Sequence, residues 1–352
     1  MAANRARRTL RLLRLYDHGG DRGYGDLMAW QTRKKLLRKI EKTQSSRAIL
    51  YVTGDRPGQE TAVSADVIDH FVEHLDDIGV CKRISLILYT RGGDGMAAWS
   101  LINLIRMFCD ELEVIVPVKA LSAGTMMAIG ADNIVMTKQA TLGPIDPSIN
   151  HPLAPQVMGA PVGTRAPVSV EAIRGYLDLA KETVSRDALS AIMNLLSSQV
   201  HPLVLGEVNR RRQQIQQLAE KLLKPQVKKA EDRKKVISFL CSDSGSHDYT
   251  LNRREASALG LTVSKCSPDL YKLVKKLHKD FADEMKLREP FNGAVFPQNA
   301  ITQFTNVRAL VESTGSKAVQ FVSEGTAQRH VQPPLGDQTS IAVTWEGWRL
   351  AA

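Results

Sequence analysis

Residues 115–149 read IVPVKALSAGTMMAIGADNIVMTKQATLGPIDPSI, and the fold of the whole chain hangs on them. An apolar run from Val114 to Val118 gives way to Lys119-Ala120-Leu121, and Ser122-Ala123-Gly124-Thr125 then opens a second apolar segment of small residues. The pattern predicts a strand, a tight turn, a helix beginning at or just after Ser122, and a short strand over Asn133–Met136. A serine at such a corner has two readings. It is an N-cap that satisfies a helix-start N–H, or it is a nucleophile that projects from the turn while neighbouring helix-start N–H groups hold an oxyanion.

A second stretch upstream bears on that choice. Residues 84–106 read ISLILYTRGGDGMAAWSLINLIR. Ile84 to Tyr89 has the pattern of a buried strand, Thr90 to Gly95 is a glycine-rich turn, and Met96 to Ile105 has helical apolar spacing. The Gly92-Gly93 pair lets backbone approach a ligand closely, because no Cβ stands in the way. Strands starting near residues 47, 84, 114 and 133 alternate with helices, which argues for βαβ crossovers and a mainly parallel sheet.

Together these units resemble the Clp-protease/crotonase superfamily and, within it, the serine dehydrogenase proteinase family, a relation of signal peptide peptidase A. Arg91-Gly92-Gly93 stands where that family carries a PGG turn, and Leu121-Ser122-Ala123-Gly124 matches its serine turn. Ala131-Asp132-Asn133-Ile134 matches the strand motif, and Gly143-Pro144-Ile145-Asp146 the loop after it. The likeness is sharp over residues 80–150 and looser over 25–280. It implies a crotonase/Clp-protease-like α/β fold of stacked ββα units, with a mainly parallel sheet and a helical extension. It further implies a serine peptidase acting through an acyl-enzyme on Ser122, with the backbone N–H groups of Gly92 and Ala123 as the oxyanion hole and Gly93 in support.

A serine at its free pKa is a poor nucleophile and needs a base in hydrogen-bond reach. By the same resemblance Lys181, in the helix after the variable loop, is the base of a Ser–Lys dyad. A lysine in that role must be desolvated; Leu177, Leu179, Ala180 and Val184 offer an apolar setting, whereas Asp178 and Glu182 suit a surface lysine. His151 and His247 are the alternative bases. Asp146, before Pro147, either holds a turn through its side chain or orients the base or the substrate.

The 352 residues permit one large domain or a domain with appendages. With 43% hydrophobic and 5% aromatic residues, the composition suits an aliphatic-rich α/β protein. The formal net charge of +10 is concentrated in the leader (Arg5, Arg7, Arg8, Arg11, Arg14) and in basic helices. It permits weak contact with anionic membrane or nucleic acid, but no nucleic-acid-binding motif accompanies it. Four scattered cysteines without a CxxC pair indicate a reduced, cytoplasmic chain without structural zinc. No run reaches the ~18 apolar residues that span a bilayer.

Residues 1–24 are expected to be a basic flexible leader, 25–287 the protease domain and 288–352 a small C-terminal accessory β element. Leu27–Thr43 reads as an amphipathic helix, and Ser64 as the cap of a helix over Ala65–Ile78. His70 and His74 in that helix have i, i+4 spacing but no HExxH context, so they read as solvent-facing rather than as zinc ligands. Asn150–Pro167 is a proline-rich loop of functional length. Ser169–Ser197 reads as one helix capped by Ser169, with further helices over 203–223, 231–240 and 268–287. Asn252–Leu261 resembles the late core helix of the superfamily, with Asn252 as cap. No cofactor, metal or ATPase partner is implied; the expected partners are a polypeptide substrate and further copies of the chain. Two rivals remain on this fold: an acyl-CoA-type enzyme that uses only the oxyanion hole, which Ser122 argues against, and a non-catalytic scaffold or binding protein.

Overall fold

The computed structural model describes residues 21–145, 148–185, 188–243, 248–315, 318–332 and 336–351. The chain begins with α1 (Asp21–Gln44), β1 (Arg47–Thr53), α2 (Ile68–Ile78), β2 (Cys81–Tyr89), α3 (Gly95–Arg106) and β3 (Cys109–Val116). The serine segment supplies β4 (Lys119–Ala120), α4 (Ala123–Ile129), β5 (Asn133–Met136) and β6 (Thr141–Leu142). A helical stretch follows: β7 (Ser148–Ile149), β8 (Val168–Ser169), α5 (Val170–Thr183), α6 (Leu189–Gln199), α7 (Pro202–Leu223) and α8 (Ala230–Ser238). The chain then runs through β9 (Leu251–Asn252), α9 (Arg253–Ala258), β10 (Val263–Lys265) and α10 (Pro268–Glu284) to β11 (Ile301–Ser313), β12 (Val319–Gln332) and β13 (Gly336–Leu350).

These elements fall into two compact units. The unit formed by Ala62–Asp69 and Val80–Ser267 is an α/β body around four parallel strands in the order β10-β5-β3-β2. The last six residues of β2 and the last five of β3 are buried without alternation, as expected for parallel strands covered on both faces. Helix α3 turns Ala97, Ala98, Leu101, Ile102 and Ile105 inward, and all seven residues of α4 are buried. A second small sheet, β4-β6-β9, sits at the serine turn. This is the α/β architecture with a mainly parallel sheet that the sequence predicts.

The other unit comprises residues up to Thr61, His70–Gly79 and Pro268–Ala352. Its strands run β1-β11-β12-β13, every pair antiparallel. Trp30, Arg33, Leu37 and Ile40 form the buried face of α1 at helical spacing. Arg33 is wholly buried and its guanidinium meets three carboxylates. It contacts Glu312 at 2.7 Å through Nη2 and Asp280 at 2.7 Å through Nη1, and it also bonds Glu284. One apolar-face position is thus an arginine because β11 and α10 supply the charges that compensate it.

Several expectations change. The C-terminal strands are 13 to 15 residues long, and β11 pairs with β1; they share a compact unit with the first helix. Helix α1 starts at Asp21, inside the stretch expected to be irregular; residues 1–20 lie outside the described residues. Ser64 makes no side-chain cap bond; a 3-10 turn over Ala65–Val67 precedes α2. His74 is buried, not solvent-facing: its Nδ1 lies 2.9 Å from Ser313 Oγ, while His70 packs its ring on Trp348. The helix expected over 169–197 is two, because the backbone turns extended at β-branched Val184. The Ser169 cap and the Asn252 cap both form, the latter as a capping box with Glu255. No helix among the described residues is long and apolar enough to cross a membrane.

Candidate active site

The two glycine- and serine-bearing turns lie side by side at the C-terminal ends of β2 and β4. Backbone bonds tie them: the Thr90 N–H donates to Lys119 O at 3.2 Å and the Leu121 N–H to Thr90 O at 3.1 Å. Gly92 presses on the serine, for a Cβ there would stand 2.7 Å from Ser122 Cβ and 2.9 Å from Leu121 O. The approach is possible only for glycine, and at φ +116° any side chain would also strain the backbone. Gly124 is small for the same reason: its Cβ would come within 2.4 Å of Thr90 Cγ2.

Ser122 occupies the N-cap position of α4 but does not cap it, since its side chain makes no cap hydrogen bond. Its backbone sits at φ +50° and ψ −112°, a conformation that L-residues other than glycine rarely adopt. Caps ordinarily have extended backbone, as Ser169 and Asn252 do here. The bland cap reading therefore fails on geometry.

Three N–H groups surround the serine turn. That of Gly92 donates to Thr90 Oγ1 at 2.9 Å. Those of Gly93 and Ala123 have no acceptor among the described residues. Gly93 is held from behind by Val63, whose N–H donates to Gly92 O at 2.7 Å and whose carbonyl accepts from Asp94 N–H at 2.8 Å. Asp94 also caps α3, its side chain accepting from the Met96 N–H at 2.7 Å.

Polar side chains, buried Thr125 and half-buried Gln226, fix the serine helix at both ends. Thr125 Oγ1 lies 2.9 Å from Ala120 O and 2.8 Å from Gly143 O, and it accepts from the Gly143 N–H at 3.0 Å. That network joins the serine turn to the Gly-Pro-Ile loop. At the other end, Gln226 Nε2 donates to Ile129 O at 2.8 Å and Ala131 O at 3.1 Å, while its Oε1 accepts from the Thr262 N–H at 2.9 Å. Sequence reading missed Thr90, Thr125 and Gln226, because isolated hydroxyls and amides carry no periodic signal.

The structure brings Ser122, Ala123, Gly92 and Gly93 together. Lys181 is largely exposed in the last turn of α5 and pairs with Asp178 at 3.0 Å; that hydrogen bond holds the Asp178 carboxyl below its usual range. His151 Nδ1 accepts from the Leu153 N–H at 3.0 Å. No hydrogen bond among the described residues joins either to Ser122. Asp146 and His247 lie outside the described residues. No cluster of metal-ligating side chains occurs among the described residues.

The chain is similar to several known proteins. The family model described as ClpP-like SDH-type serine proteinase matches residues 26–201. Two uncharacterized proteins of Methanocaldococcus jannaschii are similar. One is 29% identical over 199 residues, 56% of this chain but only 59% of that relative, so less than two thirds of its length is spanned. The other is 26% identical over 260 residues, 71% of this chain and 78% of the relative. Among solved structures, the 1510-N membrane-bound stomatin-specific protease is 15% identical, covering 66% of this chain and 85% of its own at a TM-score of 0.37. ClpP1 from Listeria monocytogenes is 13% identical, covering 66% and 99% at a TM-score of 0.33. On the match of the family model over half its length, the chain belongs to the ClpP-like SDH-type serine proteinases.

Proposed function

We propose that the chain is a serine endopeptidase that cleaves polypeptides through an acyl-enzyme on Ser122. The observation that carries this reading is the Ser122 backbone, strained at φ +50° with no cap bond to account for it. A hydroxyl held on such a corner is presented outward, as the nucleophile of a strand-to-helix elbow is.

In the proposed reaction Ser122 Oγ attacks the scissile carbonyl carbon and its proton passes to the base. The Gly93 and Ala123 N–H groups, both without another acceptor among the described residues, hold the oxyanion. Gly92 supplies close approach instead of a donor, because its N–H is already given to Thr90 Oγ1. The base then protonates the leaving amine, and water hydrolyses the ester.

Lys181 is the proposed base. His151 is the weaker candidate, since an Nδ1 that accepts a backbone N–H leaves the ring proton on Nε2 and no lone pair for Ser122. Exposed and paired with Asp178, Lys181 needs a desolvated position beside Ser122 to act. We assign that delivery to self-association, with α5 carried against the serine turn.

The test is labelling by a fluorophosphonate probe, with the modified peptide located by mass spectrometry. Labelling at Ser122 in the wild type, absent in Ser122→Ala and in Lys181→Ala, is the expected result. Survival of labelling in Lys181→Ala moves the base to His151 or His247. A wild-type chain that never labels, at any concentration that permits self-association, removes the peptidase reading.

A further inference from the structure

The loop between β7 and β8 is a built hairpin with an apolar tip. At its base Ala154 is buried with Ile149 and Val168 in the apolar cluster of the helical stretch. Above that base the Ala166 N–H donates to Pro155 O at 2.8 Å, Gln156 bridges to Arg165, and the Val157 N–H donates to Thr164 O at 3.0 Å. Gly159 and Gly163, at φ +80° and +94°, make the reversals at the tip. Met158 and Val162 stand beside them, 96% and 97% exposed. No charged residue occurs from Pro152 to Thr164.

The same compact unit carries a matching hollow. Helices α5, α6 and α7 line a half-open cavity of about 490 Å³, far more than the roughly 30 Å³ of one water. Ile173, Leu177, Met193, Leu196 and Leu205 give it apolar walls. The charged groups beside them are paired among themselves, Asp178 with Arg174 and Lys181, and Arg212 with Glu171. Apolar surface, not an uncompensated charge, is therefore what an occupant meets.

We propose that the hairpin tip of one copy of the chain seats in this cavity of a second copy, with Met158 and Val162 against Leu177, Met193 and Leu205. An exposed apolar knob and an open apolar hollow on one chain form a self-complementary pair. A lipid surface would cover the tip and leave the cavity open, and a polypeptide substrate would fill the cavity and leave the tip bare; a second copy covers both. The tip brings no charge that would be buried unpaired. Its internal hydrogen bonds hold its shape before contact, so docking costs little ordering entropy. Reciprocal insertion closes a dimer, and one-way insertion propagates into a ring or a filament. The contact uses apolar walls and no charged group, and it does not rest on the peptidase reading.

Sedimentation velocity on the full chain tests it, with Met158→Asp as the tip variant and Met193→Glu as the cavity variant, both at exposed positions that tolerate a charge in the folded chain. The wild type is expected to associate reversibly, and each variant alone to need at least about tenfold more protein to do so. Mixed one to one, the variants should form pairs and nothing larger, because one supplies the sound cavity and the other the sound tip. That recovery also shows that both are folded. A wild type that stays monomeric, a variant that associates as the wild type does, or a mixture no more associated than either variant alone overturns the proposal. Flotation of a monomeric wild type with phosphatidylglycerol vesicles, abolished by Met158→Asp, overturns it too, by assigning the tip to a lipid surface.

Discussion

Replacing Ser122 with glycine should make the protein more stable than replacing it with alanine, although both variants lose the nucleophile. At φ +50° and ψ −112° a residue bearing a Cβ carries about 1–3 kcal/mol of backbone strain, and glycine carries almost none. Against this, glycine widens the unfolded ensemble and so costs about 0.5–1 kcal/mol relative to alanine. The hydroxyl is absent from both variants, so its contacts cancel. The difference should be roughly 0.5–2 kcal/mol in favour of Ser122→Gly. With a denaturant slope of ~2–3 kcal/mol per molar, that is a urea midpoint higher by about 0.2–1 M. Circular dichroism through a urea titration reads it, and the fluorophosphonate probe confirms that both variants are inert. Equal midpoints, or a lower one for Ser122→Gly, would show that the corner is unstrained and would refute the argument from backbone geometry to nucleophile.

Two further outcomes concern the buried charges of the β1-β11-β12-β13 unit. Burial pushes the His74 imidazole down to about 4, with His70 adding repulsion while a Val311 backbone bond and Asp77 act in the opposite sense. The folded state therefore binds fewer protons than the unfolded state between about pH 6.5 and pH 4. Stability is fully present above the unfolded value and is lost as pH falls through the folded one, by roughly 3 kcal/mol. Urea midpoints at pH 7.5 and pH 4.5 should fall much further apart in the wild type than in His74→Leu. Arg33→Met leaves the wholly buried Glu312 facing Asp280 and Glu284 without its guanidinium. It should destabilise by about 3–5 kcal/mol, and adding Glu312→Gln should recover part of that loss; a double variant no better than the single would deny the pairing.

The strand–turn–helix units, the mainly parallel sheet and the turns that carry Ser122, Gly92 and Gly93 were legible in the sequence. They rest on local patterns: continuous apolar runs, glycine pairs between strand and helix, and small residues after a serine. The caps at Ser169 and Asn252 were legible for the same reason, because a cap is settled within four residues. His74 was not, because its burial depends on Ser313, far away in sequence. Nor was Arg33, a core residue only because Asp280, Glu284 and Glu312 arrive from other elements.

The sequence by itself determined which corner holds the serine and that glycine must stand opposite it. Tertiary structure alone decided what that corner is. Whether Ser122 caps its helix or stands strained above it depends on Thr90 and Gly92 closing on it from the turn after β2, and on Gly143 of a later loop binding Thr125 of α4. It also decided that Gly93, not Gly92, keeps its N–H without an acceptor among the described residues, since the Thr90 hydroxyl folds back onto the first of the pair. Local pattern fixes where a chain turns, whereas the hydrogen-bond partners and strain of a turn come from segments that meet it only on folding.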